Sequence, residues 1–531
     1  MPSSCISFKD TGYFSKLICD YLAEAETLKS FYNRFPKLEN FKAQIEEKNA
    51  SFKQETRTIL AQVLKTQYKN FDTSEATLTN IDALNDSKTF TVTTGHQLNL
   101  FTGPLYFLHK IVSTINLANQ LKSEYPKHNF VPIYWMASED HDFEEINYFN
   151  FKGKKVKWHR EASGAVGELT TKGLDTVLEI FSKELGIGKN ADALRELFKK
   201  AYLEHSNLAD ATKYIANALF KVYGLVIVEA NNKDLKRLFI PHIKRELIDR
   251  VSEQNVLETN KKIEALDFGI QVNPREINLF YITEGVRERI VLENEIYKVF
   301  NTNISWSKSE LLKEVDDFPE RFSPNVILRP LYQEVILPNL CYIGGGGEMA
   351  YWFQLKSNFE FNNVVFPMLL LRNSVLIKTK QQANKLKKLN ISNKDVFLKR
   401  ESFINKKVRE ISNIDIDFSE QIKHLEIQFK ELHDLAKQTD ESFLGAVLAQ
   451  EKKQINGLQN LEKRLLTAQK RKLKDQVARM TQLQNELFPN GSLQERNTNF
   501  SELYLEFGEE LIPNLIENLE PLKGEFTLLT F

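Results

Sequence analysis

Three short clusters of polar residues and glycines each follow an apolar stretch that predicts a buried strand. The first cluster runs from Thr93 to Lys110. Open α/β sheets bind ligands where a strand feeds a helix, and backbone N–H groups there attract phosphate or carboxylate. The candidate substrate-binding residues of this cluster are Thr94, Gly95, His96, Gln97, Gly103, Tyr106 and Lys110. Because the pattern is neither GxGxxG nor a P-loop, a plain strand–helix connection is the alternative.

The second cluster, SEDHDFEE at residues 138–145, holds five carboxylates and one histidine within eight positions. Such a group could bind Mg²⁺, bind an amine or supply a general base. Its candidate catalytic residues are Glu139, Asp140, His141 and Asp142. These adjacent residues lack the spacing of a zinc site, so no metal-ligand set is assigned. The alternative is a polar loop in which Ser138 or Asp142 caps a helix.

The third cluster centres on four consecutive glycines between a predicted strand and a predicted helix. Glycine loses more conformational entropy on folding than any other residue, so an ordered run indicates special backbone angles or a closely approaching ligand. A flexible hinge is the alternative. Arg329 and Arg372 each end a predicted strand, and both could bind carboxylates through paired hydrogen bonds. The candidate substrate-binding residues here are Arg329, Gln333, Gly344, Gly345, Gly346, Gly347, Glu348, Tyr351 and Arg372.

The segments around these clusters predict the elements that position them. Residues 89–97 predict a β-branched strand, residues 103–125 an amphipathic helix with Pro104 in its first turn, and residues 131–137 a buried strand. Strand, helix and strand in this order make a βαβ unit with parallel strands. Further strands are predicted at 225–230, 326–330, 339–345 and 364–371. The alternation of strands and helices indicates a doubly wound α/β core.

Changes in composition along the chain divide it into eight predicted segments. They are 1–88, an N-terminal helical part of the core; 89–145, the first Rossmann half; 146–206, a first insertion; 207–249, a continuation of the core; 250–322, a second insertion with short strands such as NLFYIT; 323–377, the second Rossmann half; 378–488, a helical arm; and 489–531, a tail that packs on the core. In the arm, apolar residues between Ile422 and Leu432 and between Leu458 and Ala468 step by three and four. This spacing is typical of a coiled coil, which could fold as an antiparallel hairpin.

Composition limits the classes of partner. The chain has 531 residues, and its 71 basic and 71 acidic residues balance, which argues against broad binding to nucleic acid or acidic membranes. The three cysteines are far apart, so a disulfide framework is not expected, and Cys341 is predicted to be a small buried residue rather than a nucleophile. No signal peptide and no apolar run of about 20 residues is present, so a cytoplasmic location is expected.

At these three clusters the chain resembles the bacterial cysteine-adding enzymes of bacillithiol synthesis, a family of cysteine ligases. The matching segments are TGHQLNLFTGPLY, PIYWMASEDHDFEE, ILRPLYQEVILPNLCYIGGGGEMAYW and LFPNGSLQERNTNF. Together they place the resemblance over nearly the whole chain in the same order. The chain departs from the family pattern at His96, where Gln is expected, and at Gly346, where Pro is expected.

The resemblance implies a Rossmann-like core of the nucleotidyltransferase type, with inserted connecting segments and a C-terminal α-helical coiled coil that forms a homodimer. It also implies addition of cysteine to the amine of glucosaminyl malate. Such a reaction requires an activated carboxylate, and ATP with Mg²⁺ is the expected source, inferred from the reaction rather than from a nucleotide motif. The first cluster and the glycine loop would then hold the activated cysteine and its phosphate.

On the same hypothesis, the carboxylate–histidine loop orients or deprotonates the sugar amine, and Arg329 and Arg372 face the malate carboxylates. Two alternatives remain at this stage. One is a nucleotidyltransferase with a different acceptor, which the same core would support. The other is a non-catalytic dimeric scaffold in which the helical arm is the active part.

Overall fold

The computed structural model describes residues 3–531. The strands of this part of the chain are β1 (Ser3–Ile6), β2 (Thr89–His96), β3 (Asn129–Met136), β4 (Tyr148–Phe151), β5 (Lys154–Lys157), β6 (Val226–Glu229), β7 (Leu279–Thr283), β8 (Val286–Glu293), β9 (Ile296–Val299), β10 (Ser305–Trp306), β11 (Phe322–Pro324), β12 (Asn339–Gly344), β13 (Met368–Leu371), β14 (Val375–Lys378) and β15 (Phe526–Thr530).

The helices fall into three stretches of the chain. The first stretch contains α1 (Phe8–Thr11), α2 (Lys16–Leu22), α3 (Phe41–Ser51), α4 (Gln54–Tyr68), α5 (Glu75–Ala83), α6 (Tyr106–Glu124), α7 (Phe143–Ile146), α8 (Leu174–Leu185), α9 (Lys189–Leu203), α10 (Leu208–Phe220), α11 (Lys233–Arg237), α12 (Ile240–Asp249), α13 (Val251–Glu264), α14 (Lys308–Asp317), α15 (Arg329–Ile336), α16 (Gly346–Phe353) and α17 (Lys356–Phe361). The second contains α18 (Lys380–Lys388), α19 (Asn393–Val396), α20 (Arg400–Ile411), α21 (Ser419–Ala436), α22 (Glu441–Lys472) and α23 (Lys474–Leu487). The third contains α24 (Gln494–Asn497), α25 (Phe500–Phe507) and α26 (Leu511–Asn518).

A five-stranded sheet of order β13-β12-β2-β3-β6 forms the centre of the core. All four of its strand pairings are parallel, as the predicted βαβ units require. Every residue of β2 is buried, because helices cover both faces of a parallel sheet and leave no solvent-facing side. The predicted Rossmann-like α/β fold class is confirmed. Its importance for function is that β2, β3 and β12 end at the same edge.

One face of this sheet packs on α3 and α6 through a continuous apolar cluster. The cluster contains Phe41, Ile45, Phe90, Val92, Leu117, Ala118, Leu121, Phe130, Leu340, Cys341, Ile343, Met368 and Leu370. Each large apolar side chain that is fully buried contributes about 1.5–3 kcal/mol relative to its exposed state. Cys341 is wholly buried on β12, in agreement with its predicted structural role. This packing fixes the strand ends on which the polar clusters lie.

The strand predicted at residues 326–330 is wrong, since this segment is a turn that leads into α15. The side chain of Asn325 accepts hydrogen bonds from the backbone N–H groups of Ile327 and Leu328 and so closes the turn. Pro330 then occupies the first turn of the helix, where its fixed φ and missing N–H are tolerated. Arg329 therefore begins a helix and does not end a strand.

A second sheet, of order β10-β9-β8-β7-β11, is antiparallel throughout. Strands β7 to β10 lie within the segment predicted as the second insertion, 250–322, whereas β11 crosses its C-terminal boundary; the strand predicted for NLFYIT is β7. The polar clusters of the sequence lie outside this sheet, yet β7, β8 and β11 contribute side chains to the candidate site described below.

The chain separates into two compact units, of which the first contains the residues up to Ile377 and Leu493–Leu529, and the second contains Lys378–Ser492. In the second unit, α21 and α22 form the hairpin that the apolar spacing predicts. Phe429, Ala436 and Val447 are buried between these helices. Other apolar residues of the predicted seam are exposed, including Leu432 at 41% and Leu461 at 51%. The eight segment boundaries drawn from composition stay predictions.

Candidate active site

Residues from all three clusters line one cavity of about 730 Å³ at the carboxyl ends of β2, β3 and β12. The lining residues that the sequence singled out are Gly95, His96, Gln97, Tyr106 and Lys110 from the first cluster; Glu139, Asp140 and His141 from the second; and Arg329, Gly345, Gly346, Gly347, Glu348, Tyr351 and Arg372 from the third. The topology explains this convergence, because neighbouring parallel strands present their following loops at one edge.

The C-terminal end of β2 is held by Lys110, which lies one helical turn into α6. Its Nζ donates to the backbone oxygen of Gly95 at 2.7 Å and pairs with the Glu348 carboxylate at 2.5 Å. Gly95 also lies close to the hydroxyl of Tyr342, from which an added Cβ would be only 3.3 Å away. The absence of a side chain at Gly95 therefore leaves room for the Tyr342 hydroxyl of the neighbouring strand β12. The first and third clusters are joined directly.

Glu348 organises the glycine loop. It is the third residue of α16, and its Oε2 accepts the N–H of Gly345 at 2.9 Å while its Oε1 accepts the hydroxyl of Tyr342 at 2.6 Å. Burial raises the pKa of Glu348, but Lys110 and these two hydrogen bonds outweigh it and hold the pKa below its ordinary value. Glu348 is therefore a permanent anion that caps the helix and neutralises Lys110.

Arg372 follows β13 and is fixed by a residue that the sequence patterns did not identify. Its Nη2 donates to Oε1 of Glu495 at 2.8 Å, and Glu495 is fully buried. Glu495 also accepts the N–H of Val375 at 3.1 Å and lies 3.2 Å from Nδ1 of His109. Burial raises the pKa of Glu495, but Arg372 and His109 outweigh it and hold the pKa far below its ordinary value. Arg372 and Glu495 thus form a buried, neutral pair in the cavity wall.

The carboxylate–histidine loop is tied down on both sides. Oε1 of Glu139 accepts from Nζ of Lys236 at 2.5 Å, and Lys236 is completely buried. Oδ2 of Asp140 accepts from Nε2 of Gln97 at 2.9 Å, and its Oδ1 accepts the N–H of His141 at 2.7 Å. Both carboxylates line the cavity in fixed orientations, so the loop is ordered by contacts to β2 and α11 as well as by its own turn.

His141 contacts the second insertion. Arg287 Nη1 donates to Nδ1 of His141 at 2.6 Å, and the same guanidinium stacks 4.0 Å above the ring of Phe280. Because a guanidinium can only donate hydrogen bonds, Nδ1 must be the acceptor and Nε2 must carry the proton. Burial lowers the pKa of His141, and Arg287 lowers it further. In this arrangement His141 is neutral and offers an N–H donor, which fits substrate orientation better than proton abstraction.

Five predicted site residues lie outside the cavity lining. The Thr94 hydroxyl donates to the backbone of Ile343, and Gly103 supplies a positive φ of 61° before α6. Gln333 is buried behind Arg329 and accepts its Nη1 at 3.0 Å. Gly344 ends β12, and Asp142 is an exposed residue at the start of α7. Thr94, Gly103, Gln333 and Gly344 support the site without facing it, whereas the exposed side chain of Asp142 does not cap α7.

Three arginines of the cavity were not predicted. Arg287 lies on β8, Arg275 precedes β7, and Arg496 lies on α24 in the C-terminal tail. Each is an isolated basic residue in a charged segment, so no local pattern distinguishes it from ordinary surface charge. With Arg329 and Arg372 they place five guanidinium groups around the cavity, against Glu139, Asp140 and Glu348 on its acidic side. The cavity therefore has a net positive charge and suits an anionic ligand.

Within residues 3–531, no group of three or more His, Cys, Asp or Glu side chains is placed to hold a metal ion. In the same residues, no helix is both long and apolar enough to span a bilayer.

The chain matches two family models along its length. The model described as Bacillithiol biosynthesis BshC, N-terminal Rossmann-like domain, matches residues 1–373, and the model of the BshC C-terminal coiled-coil domain matches residues 375–531. The chain belongs to the BshC family. The family that the three clusters indicated is thereby confirmed, and so is the pairing of a Rossmann-like domain with a coiled-coil domain.

Full-length relatives of this BshC chain carry the name "putative cysteine ligase BshC". The protein from Christiangramia forsetii is 60% identical over 100% of this chain and 99% of its own length. The protein from Flavobacterium johnsoniae is 57% identical over 100% of both chains. A more distant relative from Bacillus cereus is 29% identical over 94% of this chain and 95% of its own.

Proposed function

We propose that this BshC protein joins the carboxyl group of cysteine to the amine of glucosaminyl malate, forming an amide bond. The single observation that carries the proposal is the cationic cavity at the carboxyl ends of β2, β3 and β12, where the three clusters meet. A malate group carries two carboxylates at neutral pH, so an excess of guanidinium groups favours its binding. The names of the relatives support the same reaction class.

Two arginines are suited to the malate carboxylates. Arg329 lines the cavity, donates to Gln333 and Tyr351, and forms no ion pair with a carboxylate in the described residues. Arg287 donates to neutral His141 and to Ser323, and it too is without an acidic partner in this part of the chain. Neither guanidinium forms an ion pair with a carboxylate in the described residues, so each can bind a carboxylate of the substrate directly. Arg372, which the sequence paired with Arg329 for this role, is already neutralised by Glu495.

The amine must lose a proton before it can form an amide. Asp140 is the acceptor that we propose, because its Oδ2 lines the cavity and its only side-chain donor in the described residues is the neutral amide of Gln97. Glu139 is bound to Lys236 and is better suited to hold the loop. His141 donates through Nε2 to the substrate and orients it.

Activation of the cysteine carboxylate is the chemistry that ATP with Mg²⁺ would supply when bound. The residues present fit a phosphate group: the N–H groups of Gly346 and Gly347 lie in the first turn of α16, where no intrahelical acceptor exists, and Arg496 lines the same cavity. In the absence of a carboxylate trio in residues 3–531, Mg²⁺ would enter with the phosphates.

The test is direct. The purified protein is incubated with L-cysteine, glucosaminyl malate and ATP with Mg²⁺, and the product is identified by mass spectrometry. We expect a thiol with the mass of the condensed product, and none when glucosaminyl malate is omitted. A product that instead retains AMP would favour a nucleotidyltransferase with another acceptor. No turnover in any combination would reject the proposed ligase activity.

We propose that the protein is a cytoplasmic homodimer that associates through its C-terminal helical unit. Apolar residues of α21 and α22 are exposed, including Leu432, Leu435, Leu448 and Leu461 at 41–53%. Leucine at such exposure along long helices favours pairing with another helix. The double variant Leu461→Asp with Leu465→Asp should sediment as a monomer while its circular dichroism stays that of the wild type. A dimer that survives both changes would place the contact elsewhere.

The cytoplasmic location rests on the three unpaired cysteines and the thiol product.

A further inference from the structure

Two buried nitrogens at one end of the cavity have no hydrogen-bond partner in the described structure. They are Nε2 of His96 and Nε of Arg372, and their side chains line the cavity while the residues are only 8% and 5% exposed. A buried polar atom without a partner destabilises the folded protein, so such atoms in a cavity indicate a group that a ligand satisfies.

Tyr106 is a common neighbour of the two side chains, which places both nitrogens at the same end of the cavity. The ring of Tyr106 lies 5.5 Å from the ring of His96 and 5.0 Å from the guanidinium carbon of Arg372. The glycine loop closes the same space, since an added Cβ on Gly345 would lie 3.8 Å from Nε of Arg372. We call this region the glycine end of the cavity, defined by His96, Tyr106, Lys110, Gly345, Glu348 and Arg372.

The two nitrogens have opposite hydrogen-bonding character. Nε2 of His96 has no partner, so we assign the hydrogen bond to the Thr102 backbone, which raises the pKa of the imidazole, to Nδ1–H as donor; Nε2 then keeps its lone pair. Burial and the neighbouring Lys110 nevertheless lower the pKa of His96 to about 3, so the ring is neutral. Nε of Arg372 is always a donor, and the other guanidinium nitrogens are bound to Asn373, Ser374 and Glu495.

The charges of the glycine end favour a ligand without net charge. Lys110 pairs with Glu348 at 2.5 Å, and Arg372 pairs with Glu495 at 2.8 Å, so each cation is neutralised. A dianion such as malate would therefore gain little binding energy at this end. A zwitterion would find a hydrogen-bond acceptor for its positive group, Nε2 of His96, and a donor for its negative group, Nε–H of Arg372.

We infer that the glycine end is a subsite for a free α-amino acid, with the ammonium group bound to Nε2 of His96 and the carboxylate bound to Nε–H of Arg372. This inference deepens the proposed function, on which it rests, because it assigns cysteine to one end of the cavity. The carboxylate lies next to the glycine loop, where its activation would occur. Glu495 is a positioning residue that turns Nε of Arg372 toward the ligand.

The test uses L-cysteine and two analogues that each lack one α-substituent. Cysteamine lacks the carboxylate, and N-acetyl-L-cysteine lacks the ammonium group. Binding to the full-length protein is measured by calorimetry, and the KM for L-cysteine is measured by product formation. The variants are His96→Leu, which removes the acceptor, His96→Gln, which keeps an acceptor oxygen, and Arg372→Lys, which keeps the charge beside Glu495 but removes Nε–H. Arg237→Gln, an exposed arginine outside the cavity, is the matched control.

Wild-type protein should bind L-cysteine about 10- to 100-fold more tightly than either analogue, the effect of one hydrogen bond to a charged group. His96→Leu should lose this preference over N-acetyl-L-cysteine, His96→Gln should retain most of it, and Arg372→Lys should lose the preference over cysteamine. A wild-type melting temperature in each variant would exclude misfolding as the cause of a lost preference. Wild-type preferences and wild-type KM in both His96→Leu and Arg372→Lys would overturn the subsite.

The outcomes separate the two proposals. L-Cysteine binding with the expected pattern but without product rejects the proposed ligase activity and supports the subsite. Product formation with an unchanged KM for L-cysteine in the variants supports the ligase and rejects the subsite. Absence of both binding and product rejects both.

Discussion

The two ends of the cavity differ in the partners of their cationic side chains. At the glycine end, Lys110 pairs with the half-buried carboxylate of Glu348, and Arg372 pairs with the buried carboxylate of Glu495. At the opposite end, which we call the loop end and define by Glu139, Asp140, His141, Phe280 and Arg287, the guanidinium of Arg287 is bound to a neutral imidazole. Paired charges give a rigid, neutral wall, and an unpaired charge attracts an anion. Under the proposed function, the glycine end would position one substrate rigidly, and the loop end would bind an anionic substrate and accept a proton.

The largest effect is expected at the loop end, from Asp140→Asn. Asparagine keeps an acceptor for the N–H of His141 but cannot take a proton from the amine, so turnover should fall by about 10²- to 10⁴-fold with little change in melting temperature. Product formation under saturating substrates measures the loss. Asp142→Asn, an exposed change outside the cavity lining, is the control and should retain most activity. Full activity in Asp140→Asn would remove this carboxylate from the mechanism.

At the glycine end the largest effect should be on stability. Glu495→Gln leaves Arg372 as a buried charge without a counterion, which costs about 3–5 kcal/mol of the free energy of unfolding. The pKa of Glu495 is depressed in the folded protein, so its stabilisation is fully present above its unfolded pKa of about 4.3 and is lost as pH falls toward the folded pKa.

Urea unfolding of wild-type and Glu495→Gln protein measures this difference. The difference in the free energy of unfolding between the two proteins should be constant near neutral pH and should decrease below about pH 4.3. Glu509→Gln, whose side chain is 73% exposed in an ion pair with Lys189, should not change stability measurably. A gap independent of pH would show that the carboxylate charge of Glu495 is not what stabilises this wall.

A smaller effect is expected from Arg287→Gln, and it should be selective. The change removes the unpaired charge of the loop end, so the KM for glucosaminyl malate should rise by about 10- to 100-fold, equivalent to the loss of one charge-assisted hydrogen bond. The KM for L-cysteine should change by less than about twofold, since the glycine end keeps its own pairs. A rise in the KM for L-cysteine instead would erase the distinction between the two ends.

The smallest effect is expected from Gly95→Ala, at the junction of the two ends. The added Cβ would lie 3.3 Å from the Tyr342 hydroxyl, which is itself held by Glu348. A shift of a few tenths of an ångström should cost about 1 kcal/mol of stability and a few-fold in activity. Gly445→Ala, in the interior of α22 with open space around it, should instead stabilise the protein by about 0.5–1 kcal/mol. Equal effects of both changes would mean that Gly95 has no special steric role.

Local patterns were sufficient wherever neighbours in sequence are also neighbours in structure. The β-branched and apolar runs of β2, β3, β6 and β12 predicted a parallel sheet, and the polar residues that follow β2, β3 and β12 predicted its active edge. The helical spacing between Ile422 and Ala468 predicted the α21–α22 hairpin. These features depend on hydrophobic periodicity and on the geometry of parallel strands, and short stretches of sequence determine both.

Only the tertiary structure decided the partners of those residues. Glu495 reaches Arg372 from 123 positions away, Lys236 reaches Glu139 from 97, and Arg287 reaches His141 from 146. A single basic or acidic residue carries no sequence signal for such a pairing, because its burial and its distance to a counterion depend on packing of the whole core. Likewise, the segment 326–330 that was predicted as a strand forms a turn closed by the Asn325 side chain and then begins α15. The sequence therefore predicted where the candidate site lies, and the fold determined which of its charged side chains are paired.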